Sequence, residues 1–185
     1  MEKNKKFLVL ALTGAGISKS AGIPTFQDIP GIKEKLTIWF KKDHPDEFKE
    51  TMNSMKDNVS GHEPTIAHRA LAQHDIPVIT MNVDSLHSTA GSKEVYEIHG
   101  SFKENNVVLY GQPIFFVNEC RMLMNRIDAQ ARREDKIPCL LVIGTSLQTA
   151  FANQLVSDAL SKGFYVERID SDADERVPTF LDEHC

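Results

Sequence analysis

The chain has 185 residues, of which 41% are hydrophobic and 25% are charged, a composition typical of a folded globular domain. Its 21 Lys and Arg residues against 26 Asp and Glu residues give a formal net charge of -5, which argues against nucleic-acid binding through a basic face. The three cysteines, Cys120, Cys139 and Cys185, form no C-x-x-C pair, so neither a disulfide framework nor a thiolate zinc site is predicted. We expect one domain over residues 1–185.

The apolar runs at the start of the chain and elsewhere are too short to cross a membrane, which takes roughly 20 residues. Three lysines, Lys3, Lys5 and Lys6, precede the first run in the manner of a signal peptide. That run ends at Thr13, short of the usual ~7–15 residues of a secretory core. We therefore expect a buried strand in a cytoplasmic protein that makes no membrane contact.

Short apolar runs that end abruptly in small or polar residues recur along the whole chain. They cover residues 7–12, 77–80, 95–98, 107–110, 139–143 and 164–169. Because they are rich in Val and Ile without alternation, they predict strands buried on both faces, as in a parallel sheet.

Helical stripes lie between several of these runs. One begins at Pro64 as a first-turn residue, a second covers residues 116–131, and a third covers residues 152–160 and is closed by Gly163. Strands that alternate with helices predict a Rossmann-like, doubly wound parallel α/β sheet with ligands at the carboxyl ends of its strands. Residues of about 27–62 interrupt the alternation and predict a small helical insertion, a reduced second lobe, with one helix from Pro45 to Met55.

A glycine-rich loop follows the first predicted strand, with the sequence Thr13-Gly14-Ala15-Gly16. Glycines allow a main chain to approach a diphosphate closely, and the N–H groups of a helix start favour anions. The standard dinucleotide fingerprint is incomplete, because Lys19 stands where its third glycine belongs. These residues alone fit a tight strand-to-helix turn as well as a diphosphate site.

Four segments stand out as motifs: residues 14–26 (GAGISKSAGIPTF), 80–87 (TMNVDSLH), 97–101 (EIHGS) and 144–147 (GTSL). In this order they resemble the motifs of the sirtuins, which are NAD-dependent protein deacylases. A lesser match covers residues 63–71. The resemblance implies NAD as cosubstrate and transfer of an acyl group from lysine to the ADP-ribose of NAD, with release of nicotinamide.

The resemblance assigns NAD-binding roles to residues of these segments, and to one residue at the end of the last strand. They are Gly14, Ala15, Gly16, Ser18, Gly22, Ile23, Pro24, Phe26, Gln27, Asn82, Val83, Asp84, Gly144, Thr145, Ser146 and Asp170. It implies that Asp84, with the main chain at Ile23, holds the nicotinamide carboxamide and that Asn82 orders the ribose or a water molecule beside it. Judged only as residue types, Asn82 and Asp84 are also suited to cap a following helix.

The resemblance also identifies His99 as the catalytic general base for a ribose hydroxyl, a role that suits an imidazole titrating near neutral pH. A single histidine at a strand end is otherwise most often structural, and the four matched segments favour the catalytic role. An acyl-lysine protein or peptide would pair with the edge of the fourth run, at Val108, Tyr110 and Gly111.

The chain departs from the family pattern at four places, one of which is Asp170, where the family has asparagine. Most sirtuins carry a zinc ribbon with two C-x-x-C pairs after the catalytic histidine, whereas here only residues 101–106 occupy that place, so no zinc is predicted. Gln27 stands where the family has arginine, and Met81 stands where it has glutamine. Two classes of function therefore stay open: a zinc-free deacylase, or an NAD hydrolase, ADP-ribosyl transferring enzyme or NAD-binding sensor without deacylase activity.

Overall fold

The computed structural model describes residues 6–25 and 28–185. Five parallel strands form one sheet in the order β3-β2-β1-β4-β5. The strands are β1 Phe7–Thr13, β2 Val78–Thr80, β3 Val95–Glu97, β4 Ile137–Ile143 and β5 Tyr165–Ile169. The strand order reverses beside β1, so the prediction of a doubly wound parallel α/β sheet is confirmed.

The helices cover both faces of this sheet. A 3-10 helix spans Ala15–Ala21, and the α-helices are α1 Ile32–Lys35, α2 Ile38–Asp43, α3 Pro45–Val59, α4 Ile66–Gln73, α5 Leu86–Thr89, α6 Val117–Arg133, α7 Ala150–Ser161 and α8 Ala173–His184. Because successive strand residues point to opposite faces, Val9 packs towards α4 and α8, whereas Leu10 packs towards α6 and α7. None of the helices within the described residues is long and apolar enough to span a membrane.

A third apolar cluster joins the segment of α1 to α3 to the rest of the molecule. Ile32 and Phe48 of this segment pack with Val83, Phe102 and Leu109, which come from loops at the carboxyl edge of the sheet. The helical segment thereby lies over the edge at which α/β sheets bind ligands.

Two details differ from the sequence-based expectations. Residues 107–110 are not a strand of the sheet, because their only ladder contact is an isolated bridge between Tyr110 and Thr37. Pro64 precedes the first turn of α4, because Thr65 is the N-cap and its side chain accepts a hydrogen bond from the main-chain N–H of His68.

Candidate functional site

A cleft of about 950 Å³ lies between the carboxyl edge of the sheet and the helical segment. Most of the predicted site residues line it, and they come from the loops after all five strands. They are Gly14, Ala15, Gly16, Asn82, Val83, His99, Val108, Tyr110, Gly111, Gly144, Thr145, Ser146 and Asp170. The structure therefore brings together residues that are far apart in the chain.

Five predicted residues do not line the cleft, and two lie outside the described residues. The five that do not line it are Ser18, Gly22, Ile23, Pro24 and Asp84. Phe26 and Gln27 are the two that the description leaves out.

The glycines of the two central loops allow their main chains to cross in contact. The N–H of Gly14 donates to the carbonyl of Ile143 at 3.0 Å, and the N–H of Gly16 donates to the carbonyl of Gly144 at 2.8 Å. A Cβ atom on Gly16 would lie 2.6 Å from Cα of Gly144, and Gly144 itself has a φ of +59°. The crossing thus requires glycine on both loops, and it places both at the floor of the cleft.

Behind the cleft, Ser18, Asn82 and Asp84 form a hydrogen-bonded triangle. The Ser18 hydroxyl donates to Asp84 Oδ2 at 2.7 Å, and the Asn82 amide donates to Ser18 Oγ at 3.1 Å and to Asp84 Oδ2 at 3.3 Å. Asp84 Oδ1 accepts at 3.0 Å from the N–H of Leu86, which is the first residue of α5, whereas the N-cap of this helix is Ser85. Asp84 thus bonds to the start of α5 without being its N-cap, whereas the Asn82 amide bonds to Ser18 and Asp84 and Asn82 lines the cleft.

His99 stands on the turn that follows β3, and its half-buried ring forms part of the cleft wall. Burial lowers the pKa of its imidazole, so the neutral, proton-accepting form prevails at neutral pH. The N–H of Val108 donates to the His99 carbonyl at 2.8 Å and holds the turn against the next segment.

Several polar residues of the cleft were not singled out from the sequence, and two of them bond to each other. Lys33 of α1 donates from Nζ to Gln148 Oε1 at 3.0 Å, which connects the helical segment to the loop after β4. Both residues line the cleft. Gln148 directly follows the predicted segment 144–147, so its neighbourhood was a usable signal, whereas nothing in the sequence marks Lys33.

A comparison with protein families matches residues 14–114, more than half of the chain, to the description "Sir2 family". This chain belongs to the Sir2 family. The prediction of a sirtuin is confirmed at that level, because the matched residues include the glycine loop, Asn82 and His99.

Curated relatives and a solved structure agree with this membership. A Sulfolobus acidocaldarius protein named NAD-dependent protein deacetylase is 29% identical over 79% of this chain and 72% of its own length. A Thermotoga maritima protein of the same name is 39% identical over 55% of this chain, and the match spans only 45% of that relative. A crystal structure of Sir2 with the inhibitor EX-527, 2'-O-acetyl-ADP-ribose and a deacetylated p53 peptide is 25% identical, covers 95% of this chain and 93% of that one, and has a TM-score of 0.76.

Beneath the cleft, this Sir2-family chain buries two histidines against each other. The ring centroids of His68 and His87 are 4.5 Å apart, and His87 Nε2 lies 2.9 Å from the hydroxyl of Thr13 at the end of β1. Burial lowers the pKa of both imidazoles, to about 4 for His68 and well below the ordinary value for His87. Both rings are therefore neutral at physiological pH and have a structural place, since neither lines the cleft.

Proposed function

We propose that this Sir2-family chain is an NAD-dependent protein lysine deacylase that acts as a deacetylase, transferring an acyl group from lysine to the ADP-ribose of NAD and releasing nicotinamide. The observation that carries the proposal is the position of His99, a neutral imidazole in the same cleft as the crossed glycine loops. The names of the curated relatives support the same activity.

The residues of the cleft suit NAD in size and in chemistry. Its volume of about 950 Å³ is near the upper end of the roughly 300–1,000 Å³ common among small-molecule sites. We assign the diphosphate of NAD to the glycine loop with Ala15 and to Thr145 and Ser146. The side chains there are small, so a ligand can approach the main chain closely. Asp170 is exposed at the end of β5, where a carboxylate can accept hydrogen bonds from ribose hydroxyls.

The nicotinamide end of NAD is assigned to the loop after β2. Asn82 and Val83 line the cleft there, and the Ser18–Asn82–Asp84 triangle orients the Asn82 amide from behind. We keep the predicted NAD-binding role of Gly22, Ile23 and Pro24, with the main chain at Ile23 assigned to the nicotinamide carboxamide, although none of the three lines the cleft. Phe26 and Gln27 keep theirs as predictions outside the described residues.

In the proposed reaction, NAD supplies the ribose carbon that loses nicotinamide and takes up the acyl oxygen. His99 accepts the proton of a ribose hydroxyl, and such a base contributes on the order of 10²–10⁴-fold to the rate. Its lowered pKa keeps the ring neutral and ready to accept that proton. Val108, Tyr110 and Gly111 form the wall against which the acyl-lysine peptide binds.

We also propose that the chain works without the zinc ribbon of its relatives. The short turn of residues 101–106 is closed by the Asn106 side chain, whose Oδ1 accepts from the N–H of Ser101 at 2.8 Å. Cys120 and Cys139 are buried in the apolar clusters on opposite faces of the sheet, so they are not placed to bind one zinc ion together. A cytoplasmic location stays a prediction from the sequence.

The decisive experiment measures nicotinamide release from NAD with and without an acetyl-lysine peptide. We expect release that depends on the peptide, loss of nearly all of it in His99→Ala, and NAD binding by calorimetry that is largely retained in that variant. His44→Ala, which changes an exposed histidine outside the cleft, is the matched control. Peptide-independent release would indicate an NAD hydrolase instead, and saturable NAD binding without turnover would indicate a sensor.

A further inference from the structure

The segment of residues 107–111 has one side turned towards the protein. Val108 donates its N–H to the His99 carbonyl at 2.8 Å, and Tyr110 donates its N–H to the Leu36 carbonyl at 2.8 Å. The Tyr110 carbonyl accepts from the N–H of Ile38 at 3.4 Å. In an extended chain, main-chain polar groups of alternate residues point to opposite sides. A peptide could therefore add only along the opposite edge of this segment. The main-chain groups of that edge belong to the residues that alternate with Val108 and Tyr110, and Leu109 is at its centre.

That central position is already occupied by a neighbour in the same chain. The N–H of Leu109 donates to the Gln112 side chain at Oε1, at 2.9 Å. The Leu109 carbonyl accepts from the main-chain N–H of Gln112 at 3.0 Å, across a turn in which Gly111 has a φ of +92°. One residue thus presents an acceptor and a donor to Leu109, the pair that a residue of an added strand would present.

We propose that the Gln112 carboxamide is a built-in occupant of the peptide-binding edge, which an acyl-lysine peptide must displace from the Leu109 N–H before it pairs there. This inference rests on the proposed deacylase function. Gln112 is exposed and lines the cleft, so its side chain has room to swing away. A protein whose binding-competent state is only partly populated binds its ligand more weakly by that fraction. Gln112 would in this way weaken the binding of every peptide and favour those with strong additional contacts.

The contact itself is tested in the free protein by amide hydrogen exchange. In Gln112→Ala the N–H of Leu109 loses its acceptor, so we expect its exchange to accelerate about 10-fold or more. The Tyr110 N–H, which donates to Leu36, should keep its rate and serves as the internal control. An unchanged exchange rate of the Leu109 N–H in Gln112→Ala would overturn the proposal, irrespective of the measured enzyme activity.

The consequence for substrate is tested by steady-state kinetics with a short acetyl-lysine peptide. We expect Gln112→Ala to lower the peptide KM about 2- to 10-fold, the effect of one hydrogen bond, without a matching change in the KM for NAD. Gln112→Glu, whose carboxylate accepts the Leu109 N–H more strongly, should raise the peptide KM. The control is Gln130→Ala, which removes an amide bonded to Glu134 on α6.

The possible outcomes separate the two proposals. An equal or higher peptide KM in Gln112→Ala refutes the inference and leaves the deacylase intact. A wild-type protein that releases no nicotinamide with peptide refutes the deacylase, and with it the substrate role of Gln112.

Discussion

Acid should destabilise this fold through the buried pair His68 and His87, which lies under the cleft. The folded state favours the neutral form of both imidazoles, because burial lowers the pKa of each ring. The carboxyl groups of Asp84 and Asp174 face His68 and oppose this shift, yet burial outweighs them. The unfolded chain has no such constraint and takes up protons near the ordinary pKa of a histidine.

The size of the effect follows from the pKa of His68, which burial lowers from 6.5 to about 4. Above about pH 6.5 both the folded and the unfolded states are neutral, and the full stability is present. As the pH falls, only the unfolded state binds protons, so the free energy of unfolding decreases. The loss from His68 alone is about 2 kcal/mol at pH 5 and about 3 kcal/mol at pH 4, and His87 adds to it in the same direction.

Urea unfolding between about pH 7.5 and pH 5 measures this loss, and His68→Gln isolates it. Gln at this position can replace the ring as acceptor for the Thr65 N–H, because Thr-x-x-Gln is a capping box, but it does not titrate. We therefore expect the variant to lose at least about 1 kcal/mol less than wild type over this range. His74→Gln, on a half-exposed ring paired with Asp182, is the control. Parallel stability curves for wild type and His68→Gln would refute the reasoning.

Three further predictions concern the cleft and its surroundings. Gly144→Ala should lower the free energy of unfolding by about 1–3 kcal/mol, since the added Cβ would lie 2.5 Å from a main-chain nitrogen. Thermal or urea unfolding measures this loss. The control is Gly163→Ala, at a position with positive φ but no atom within 4 Å, and a smaller loss in Gly144→Ala than in this control would contradict the prediction. Lys33→Gln should weaken NAD binding in calorimetry about 3- to 10-fold and reduce the salt dependence of that binding. Lys35→Gln is the control, because Lys35 is on the same helix but is paired with Glu47, and it should leave the affinity unchanged. Equal affinities of the two variants for NAD would exclude a role for Lys33 in binding NAD. Metal analysis of the purified protein should find no zinc, and one tightly bound ion per chain would disprove the zinc-free proposal.

The buried strands were predictable because their residues are apolar on both sides. β1 and β4 lie at the centre of the sheet, where neither face meets water, so uninterrupted runs such as residues 139–143 mark them directly. Residues 107–110 show the limit of this signal. They are equally apolar, but Leu109 packs into the third cluster and only Tyr110 makes a bridge, so the same pattern yields an extended loop.

The candidate site was predictable as a set of positions but not as a set of contacts. Parallel strands bring their carboxyl ends to one edge, so Gly14, Asn82 and His99 were expected to meet there. Ser18 does not line the cleft but bonds to Asn82 and Asp84. This contact depends on packing between segments far apart in the chain, so the sequence did not predict it. The bond from Lys33 to Gln148 depends likewise on how the helical segment lies over the sheet, and no local pattern encodes it.

The crossing of the two glycine loops has a consequence for how the protein is made. β1 pairs with β4 along its whole length, Phe7 with Ile137 and Thr13 with Ile143, so the first strand waits for a late partner. Closing so long a loop is entropically costly, and such distant pairings slow folding. A nascent chain that ended at residue 114 would already contain Asn82 and His99 but not Gly144. Gly144 therefore leaves the ribosome well after Asn82 and His99. A chain interrupted between residues 114 and 144 has the histidine proposed to be catalytic but lacks the crossed loops that form the floor of the cleft.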